Sequence, residues 1–255
     1  MKITKPMLLS YGTEPFTDEK FLFEPKWDGI RLLVGENFSY TRHGTITTNR
    51  FPELIFDIGQ EVLLDGELIA PGTKAPDDFE KAMSRFSGNK EQRIQFIAFD
   101  ILSVNNASTA SLPIEERKGL LTEVLAKINS PYIIPTPYVF MEGETLFKVI
   151  KENNMEGMVA KRLGSKYVQN TRTDNWSKII NWSFHDAIVT KISFKPFAIQ
   201  LRTVEGVYLG IVSMGFTREI KEGILSRTPP FPCKVKARGW TSGKKLRHPQ
   251  IIELR

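Results

Sequence analysis

The last part of the chain leaves the fewest choices of fold. From Ala187 onward, short runs rich in β-branched and aromatic residues (187–192, 198–203, 207–212, 233–237 and 251–254) alternate with turns. One helical piece lies near 217–225. About five strands in so short a span suit a small Greek-key barrel of the oligonucleotide-binding (OB) type. The texture changes near residues 182–186, which predicts a first domain over 1–183 and the barrel over 184–255.

Upstream, strands and helices mix. Apolar runs at 21–23 and 31–34 read as strands flanking a turn, followed by strands at 38–42, 62–69, 94–101, 157–161 and 176–181. Residues 45–48 are rich in β-branched side chains. Apolar spacing and start signals predict helices over 77–86, capped by Asp77 or Asp78, over 114–128 after Pro113, and over 143–153. A further helix is expected over 52–60, with Pro52 at its first position.

Charge separates the two parts. Residues 183–255 carry 13 Lys+Arg against 5 Asp+Glu, a net of +8, whereas the first 182 carry 22 against 24, a net of −2. Lys234, Lys236, Arg238, Lys244, Lys245 and Arg247 follow one another with no acid between them. Such a run fits a polyanionic partner, through phosphate neutralisation and counterion release, or a solvated basic face. The single cysteine, Cys233, excludes internal disulfides and multi-cysteine zinc sites. No run of about 18 apolar residues suggests a membrane span, and Met1 to Pro6 lack the apolar core of a secretory signal. A cytoplasmic location is expected. None of His43, His185 and His248 has metal-ligand spacing, and all three read as structural or nucleic-acid-facing.

The chemistry gathers around Glu24-Pro25-Lys26-Trp27-Asp28-Gly29-Ile30-Arg31. A lysine that is buried or beside other cations loses protons more readily and becomes nucleophilic. Glycine permits a tight bend or a close backbone approach, and arginine meets phosphates or carboxylates with a bidentate fork. Alone, the stretch could equally be a strand end and a turn with an exposed lysine. Four further segments follow it in order: Thr41-Arg42-His43-Gly44, Leu64-Asp65-Gly66-Glu67-Leu68, Phe96 to Leu102, and Glu156-Gly157-Met158-Val159-Ala160-Lys161 with Trp176-Ser177-Lys178 behind it.

Together these segments resemble the nucleotidyltransferase core of ATP-dependent DNA ligases, a superfamily that also holds RNA ligases and mRNA capping enzymes. The resemblance implies an α+β fold: an ATP-grasp-like nucleotidyltransferase domain with antiparallel sheets, then the OB barrel. It implies ATP and Mg²⁺ as cofactors, with Mn²⁺ able to substitute, and nicked double-stranded DNA as partner, bound by a monomer in replication, repair or recombination. By resemblance Lys26 is the nucleophile that forms lysyl-AMP. Glu67 and Glu156 serve the metal, and Glu67 also the nucleotide. Arg31, Arg42, Lys161 and Lys178 face phosphates, Phe99 stacks on adenine with Met158 opposite, and Glu24 receives the adenine amino group. Asp28 and Asp65 are read as either turn residues or site residues. The segment Trp240 to Pro249 resembles the barrel end of bacterial end-joining ligases, where an R-x-D-K element would follow; the sequence stops at Arg255. Ile180 stands where the W-x-K-x-K pattern would place a second lysine. The alternatives from the same sequence are an RNA ligase or capping-type enzyme, and a non-catalytic nick-binding module.

Overall fold

A computed structural model describes residues 4–73 and 75–255. The residues Met1 to Ile3, part of the stretch read for a secretory signal, lie outside the described residues. The chain forms two compact units, Met1–Asn181 and Trp182–Arg255.

In the first unit the strands are β1 (Leu8–Tyr11), β2 (Phe21–Lys26), β3 (Ile30–Gly35), β4 (Phe38–Thr41) and β5 (Val62–Ile69). After helix α1 (Phe79–Phe86) come β6 (Gln95–Val104), β7 (Ala107–Ser108) and α2 (Ile114–Ile128). Then follow β8 (Ile133–Pro135), β9 (Val139–Phe140), α3 (Gly143–Glu152), β10 (Gly157–Arg162) and β11 (Arg172–Ile180). They build two sheets, ordered β1-β11-β10-β2-β9 and β4-β3-β5-β6-β7, with β8 added beside β6. Most pairings are antiparallel, as expected; β1–β11 and β6–β8 are parallel.

Both sheets are covered on both faces, which explains the unbroken apolar runs Phe21-Leu22-Phe23 and Leu32-Leu33-Val34. Successive strand residues point to opposite faces. Leu22 and Leu33 therefore enter one cluster with Tyr40, Leu102 and Trp176. Leu32 and Val34 enter a second, with Phe96, Leu121 and Val124 of α2. Phe21 and Phe23 enter a third, with Phe147 and Ile150 of α3.

Two expectations are corrected. The helix over 52–60 is replaced by short 3-10 turns at Thr48–Arg50 and Pro52–Leu54. Phe51, Leu54 and Phe56 are all buried in the α2-side cluster, so this segment plugs a core through irregular backbone instead of presenting one helical face. The β-branched run at 45–48 supplies only a single bridge, Ile46 to Tyr40. Helix α1 takes Asp78 as its cap, the side chain accepting from the Lys81 N–H, which leaves Asp77 for another task.

The second unit contains β12 (Ser183–Phe194), β13 (Phe197–Arg202), β14 (Tyr208–Val212), α4 (Arg218–Leu225), β15 (Phe231–Ala237) and β16 (Gln250–Leu254). All five strands join one antiparallel sheet, ordered β14-β13-β12-β15-β16. This is an OB-like half-barrel, its core built from Val189, Ile199, Leu201, Val212, Val235 and Ile224 of α4. Its solvent side carries Trp182 under Lys236 and Arg238, and the half-exposed Phe184 under Lys234.

Candidate functional site

Lys26 is the last residue of β2, and Trp27-Asp28-Gly29 turn the chain into β3. Gly29 is obligatory there, because a Cβ would lie 2.1 Å from the carbonyl oxygen of Leu68. The turn is fixed from outside as well. Asp77 accepts the Asp28 N–H at 2.7 Å, and the Trp27 Nε1–H donates to Thr136 at 3.0 Å. Pairing of β2 with β10 sets Lys26 opposite Gly157, so the preceding Glu156 reaches Lys26 Nζ at 2.6 Å.

Glu67, on β5 beside Arg31, completes the surroundings of the amine. Burial, reinforced by Glu156 and Asp28, pushes the Glu67 carboxyl up to about 8, although Lys26 and Arg31 oppose the shift. Burial first, then Asp28 and Glu156, push Asp77 up to about 6 against the Asp28 N–H that it accepts. The lysine thus sits in a patch crowded with carboxylates.

Behind it opens a cavity lined among others by Glu24, Lys26, Trp27, Arg31, Glu67, Phe99, Val159, Lys161 and Trp176. A β-bulge creates one wall. Asp65 pairs with Asp100 and Gly66 with Ala98, which leaves Phe99 as the extra residue; bulges re-aim side chains in this way. The Phe99 ring lies between Arg31, 5.2 Å from its centroid, and Lys161, 4.9 Å from it. At the deep end Glu24, 2% exposed, is gripped by two buried lysines, Lys118 of α2 and Lys161 at 2.8 Å. Lys161 also lies 4.1 Å over the Trp176 ring. Burial, with Lys118 adding to it, pushes the Lys161 ammonium down to about 8, and Glu24 only partly compensates.

Of the residues singled out from sequence, Lys26, Glu24, Arg31, Glu67, Phe99 and Lys161 line this cavity, and Glu156 adjoins Lys26. Lys178 stands on the same sheet face, paired with Val159 and resting over the Tyr11 ring at 4.1 Å. Three placements differ from expectation. Met158 does not face the cavity; it is fully buried with Phe23 and Ile179 on the other side of the sheet, and Val159 takes the lining position. The strand period of two decides this, since Val159 shares a rung with Glu24. Arg42 is exposed and bonds its neighbour His43 at 3.0 Å, away from the lining. Arg31 lines the wall, but its fork holds Asp65 at 2.9 and 2.6 Å and the Met7 carbonyl at 2.7 Å. Asp65 is thereby a site-building residue, further tied to the Tyr167 hydroxyl at 2.7 Å.

Sequence reasoning missed Lys118, Val159 and Asp77. Alternation along β10 could have exposed Val159; nothing in the helical pattern of α2 separates Lys118 from a solvated lysine.

The residues present fit a hard divalent cation that takes few protein ligands. Among the described residues no group of three or more His, Cys, Asp or Glu is arranged to hold a metal. Mg²⁺ is commonly bound by one or two carboxylates, completed by substrate phosphates and water. The pair Glu67 and Glu156, close enough for each carboxylate to act on the other, offers that donor set.

Fold and site together define a nucleotidyltransferase with a lysine in the lining of an aromatic and cationic cavity. A family model described as "ATP dependent DNA ligase domain" matches residues 6–179. The SPbeta prophage-derived DNA ligase-like protein LigB of Bacillus subtilis is 33% identical over 96% of this chain and 97% of its own length. The multifunctional end-joining protein LigD of Mycobacterium tuberculosis is 29% identical over 72% of this chain, which spans only 25% of LigD. Among solved structures, a Lig E DNA ligase superposes with a TM-score of 0.74 at 18% identity, covering 94% of each chain. The mycobacterial DNA ligase D complexed with ATP does so at 0.65 and 22% identity, covering 99% of this chain and 95% of that one. The chain belongs to the ATP-dependent DNA ligases. No described helix is long and apolar enough to cross a membrane.

Proposed function

We propose that this ligase seals nicks in duplex DNA through a lysyl-AMP on Lys26 and then a DNA-adenylate. The observation that carries the reading is the Lys26 amine, held 2.6 Å from Glu156 at the mouth of a cavity with an aromatic wall and cationic depths. Lys26 Nζ attacks the α-phosphorus of ATP; an N–P bond forms and the P–O bond to pyrophosphate breaks. Glu156 is the nearest acceptor for the amine proton. A 5′-phosphate oxygen at the nick then attacks the same phosphorus, and the lysine leaves and regains a proton. Finally the 3′-hydroxyl attacks the activated 5′-phosphate and AMP departs.

Phe99 and Val159 offer the base its stacking surfaces, and Lys161 and Lys178 supply positive charge. Mg²⁺ on Glu67 and Glu156 would neutralise the charge of the transferring phosphate. Arg31 holds the wall through Asp65. The basic and aromatic side of the OB-like unit is assigned to the DNA, through mostly sequence-independent phosphate contacts. We assign a monomer to this clamp. The test is sealing of a 5′-phosphorylated nick, in DNA and in RNA, with ATP and Mg²⁺. Joined DNA strands support the proposal; joining of the RNA nick alone would replace it by an RNA ligase.

Lys161 adds a pH dependence. Its ammonium is charged below about pH 8, and an anionic ligand favours the charged form. Affinity for a non-hydrolysable ATP analogue therefore falls as pH rises through 8, by up to about tenfold per pH unit. Equilibrium titrations from about pH 7 to 9.5 would read this, and Lys161→Met should lessen the slope, the remainder coming from Glu67, whose carboxyl ionises over the same range.

A further inference from the structure

We infer that Lys118, on α2 and outside every motif of the sequence, is the positioning residue that sets purine selectivity in the nucleotide-base pocket. The inference rests on the nucleotide-binding part of the proposed function. Lys118 is 4% exposed, and its ammonium has three partners from three separate elements. It forms an ion pair with Glu24 Oε1 on β2 and donates to the Phe99 carbonyl of the β6 bulge at 2.9 Å. It also lies 5.1 Å over the Tyr138 ring, just before β9.

An ammonium has three protons, and these contacts occupy it. Lys118 therefore acts through its neighbours, not on the ligand. Two walls depend on it. The Glu24 carboxylate is held from one side by Lys118 and from the other by Lys161 at 2.8 Å, so it cannot turn. A carboxylate has about four lone-pair positions, so two ammonium partners leave acceptor capacity facing the cavity. The other wall is Phe99, whose ring enters the cavity because the bulge carries it there. Lys118 ties down that residue's carbonyl.

The selectivity follows from the sign of the charge. A fixed carboxylate accepts a hydrogen bond from the 6-amino group of adenine and repels the 6-oxo group of guanine. A carboxylate held only by Lys161, and free to rotate about that contact, discriminates less. A purely structural lysine would have another signature, since its loss would weaken both purines alike.

The experiment is equilibrium titration of ATP and of GTP into wild type, Lys118→Met and Lys118→Arg, with thermal melting and AMP-adduct mass measured on each. The Met variant keeps the stem and removes the charge. We expect it to lose about tenfold in ATP affinity, the worth of one hydrogen bond between the base and a charged group. GTP affinity should change far less, so the ATP-to-GTP preference collapses. The Arg variant, charged but of different reach, should keep a reduced preference for ATP, and it carries the test if the Met variant does not fold. Folded variants with a wild-type ATP-to-GTP ratio, or equal losses for both nucleotides, overturn the inference. Wild type that binds neither purine overturns it too. Wild type that prefers ATP but forms no adduct would instead sink the covalent mechanism and leave the role of Lys118 standing.

Discussion

Lys26→Ala is expected to abolish AMP loading, by at least about 10⁴-fold, while the variant still joins a nick that already carries 5′-AMP. The separation follows from which bonds involve the lysine. Its nitrogen gains a bond to phosphorus in the first step and loses it in the second; in the third, the 3′-hydroxyl attacks the 5′-phosphate and AMP leaves without any bond to lysine. The cavity that would hold the AMP is lined mainly by other groups, Phe99, Val159, Lys161 and Glu24 among them. The surrounding fold should tolerate the change, because Lys26 is 20% exposed and its truncation opens no core cavity. Intact-protein mass measurement gives the first half of the result, and gel-resolved joining of a synthetic adenylylated nick gives the second. An adduct on the alanine variant would move the nucleophile to another residue. Failure to join the pre-activated nick would mean that the lysine also orients the bound nucleotide.

The legibility of this chain was uneven for physical reasons. The Lys26 turn was visible because its chemistry and backbone demands are local: a lysine, then a glycine whose Cβ has no room beside Leu68. Helix α2 matched its pattern because Pro113 and the apolar spacing act within one segment. The half-barrel strands were visible in the alternation of the second unit. What stayed hidden depended on partners distant in sequence. Residues 52–60 read as a helix behind Pro52, yet Phe56 and the preceding Phe51 are buried by an irregular segment that fills space beside α2. Met158 and Val159 are both apolar, and only the register with Glu24 decides which one meets the cavity. Arg31 lines the cavity, but its fork is satisfied by Asp65, 34 residues away. Lys118 is the extreme case. An ordinary-looking helical lysine is buried because a carboxylate of another strand, Glu24, lies beneath the helix.

The same dependence on distant partners makes Asp100→Ala the most damaging change we expect to the fold. Asp100 and Arg117 are both fully buried and meet through two bonds, 2.7 Å from Nε and 2.9 Å from Nη2. The guanidinium also donates to the carbonyls of Leu112 at 2.6 Å and Ser165 at 3.0 Å and lies 5.8 Å over the Tyr167 ring. Removing the aspartate leaves a fully buried guanidinium without the carboxylate that pairs with it. Breaking such a pair by one partner costs about 3–5 kcal/mol, whereas replacing both by well-packed apolar groups is often neutral. Asp100→Ala should therefore lower the melting temperature by about 10 °C or more. The double change Asp100→Leu with Arg117→Met should recover most of that loss. Activity should follow a different course. Asp100 adjoins Phe99, whose ring reaches the cavity only through the bulge at this point of β6. The double variant is thus expected to melt near wild type yet load AMP more slowly, with the deficit in apparent KM for ATP. Wild-type loading in that variant would show that the bulge is held by the strand pairing of β5 and β6 alone, and that the ion pair serves stability only.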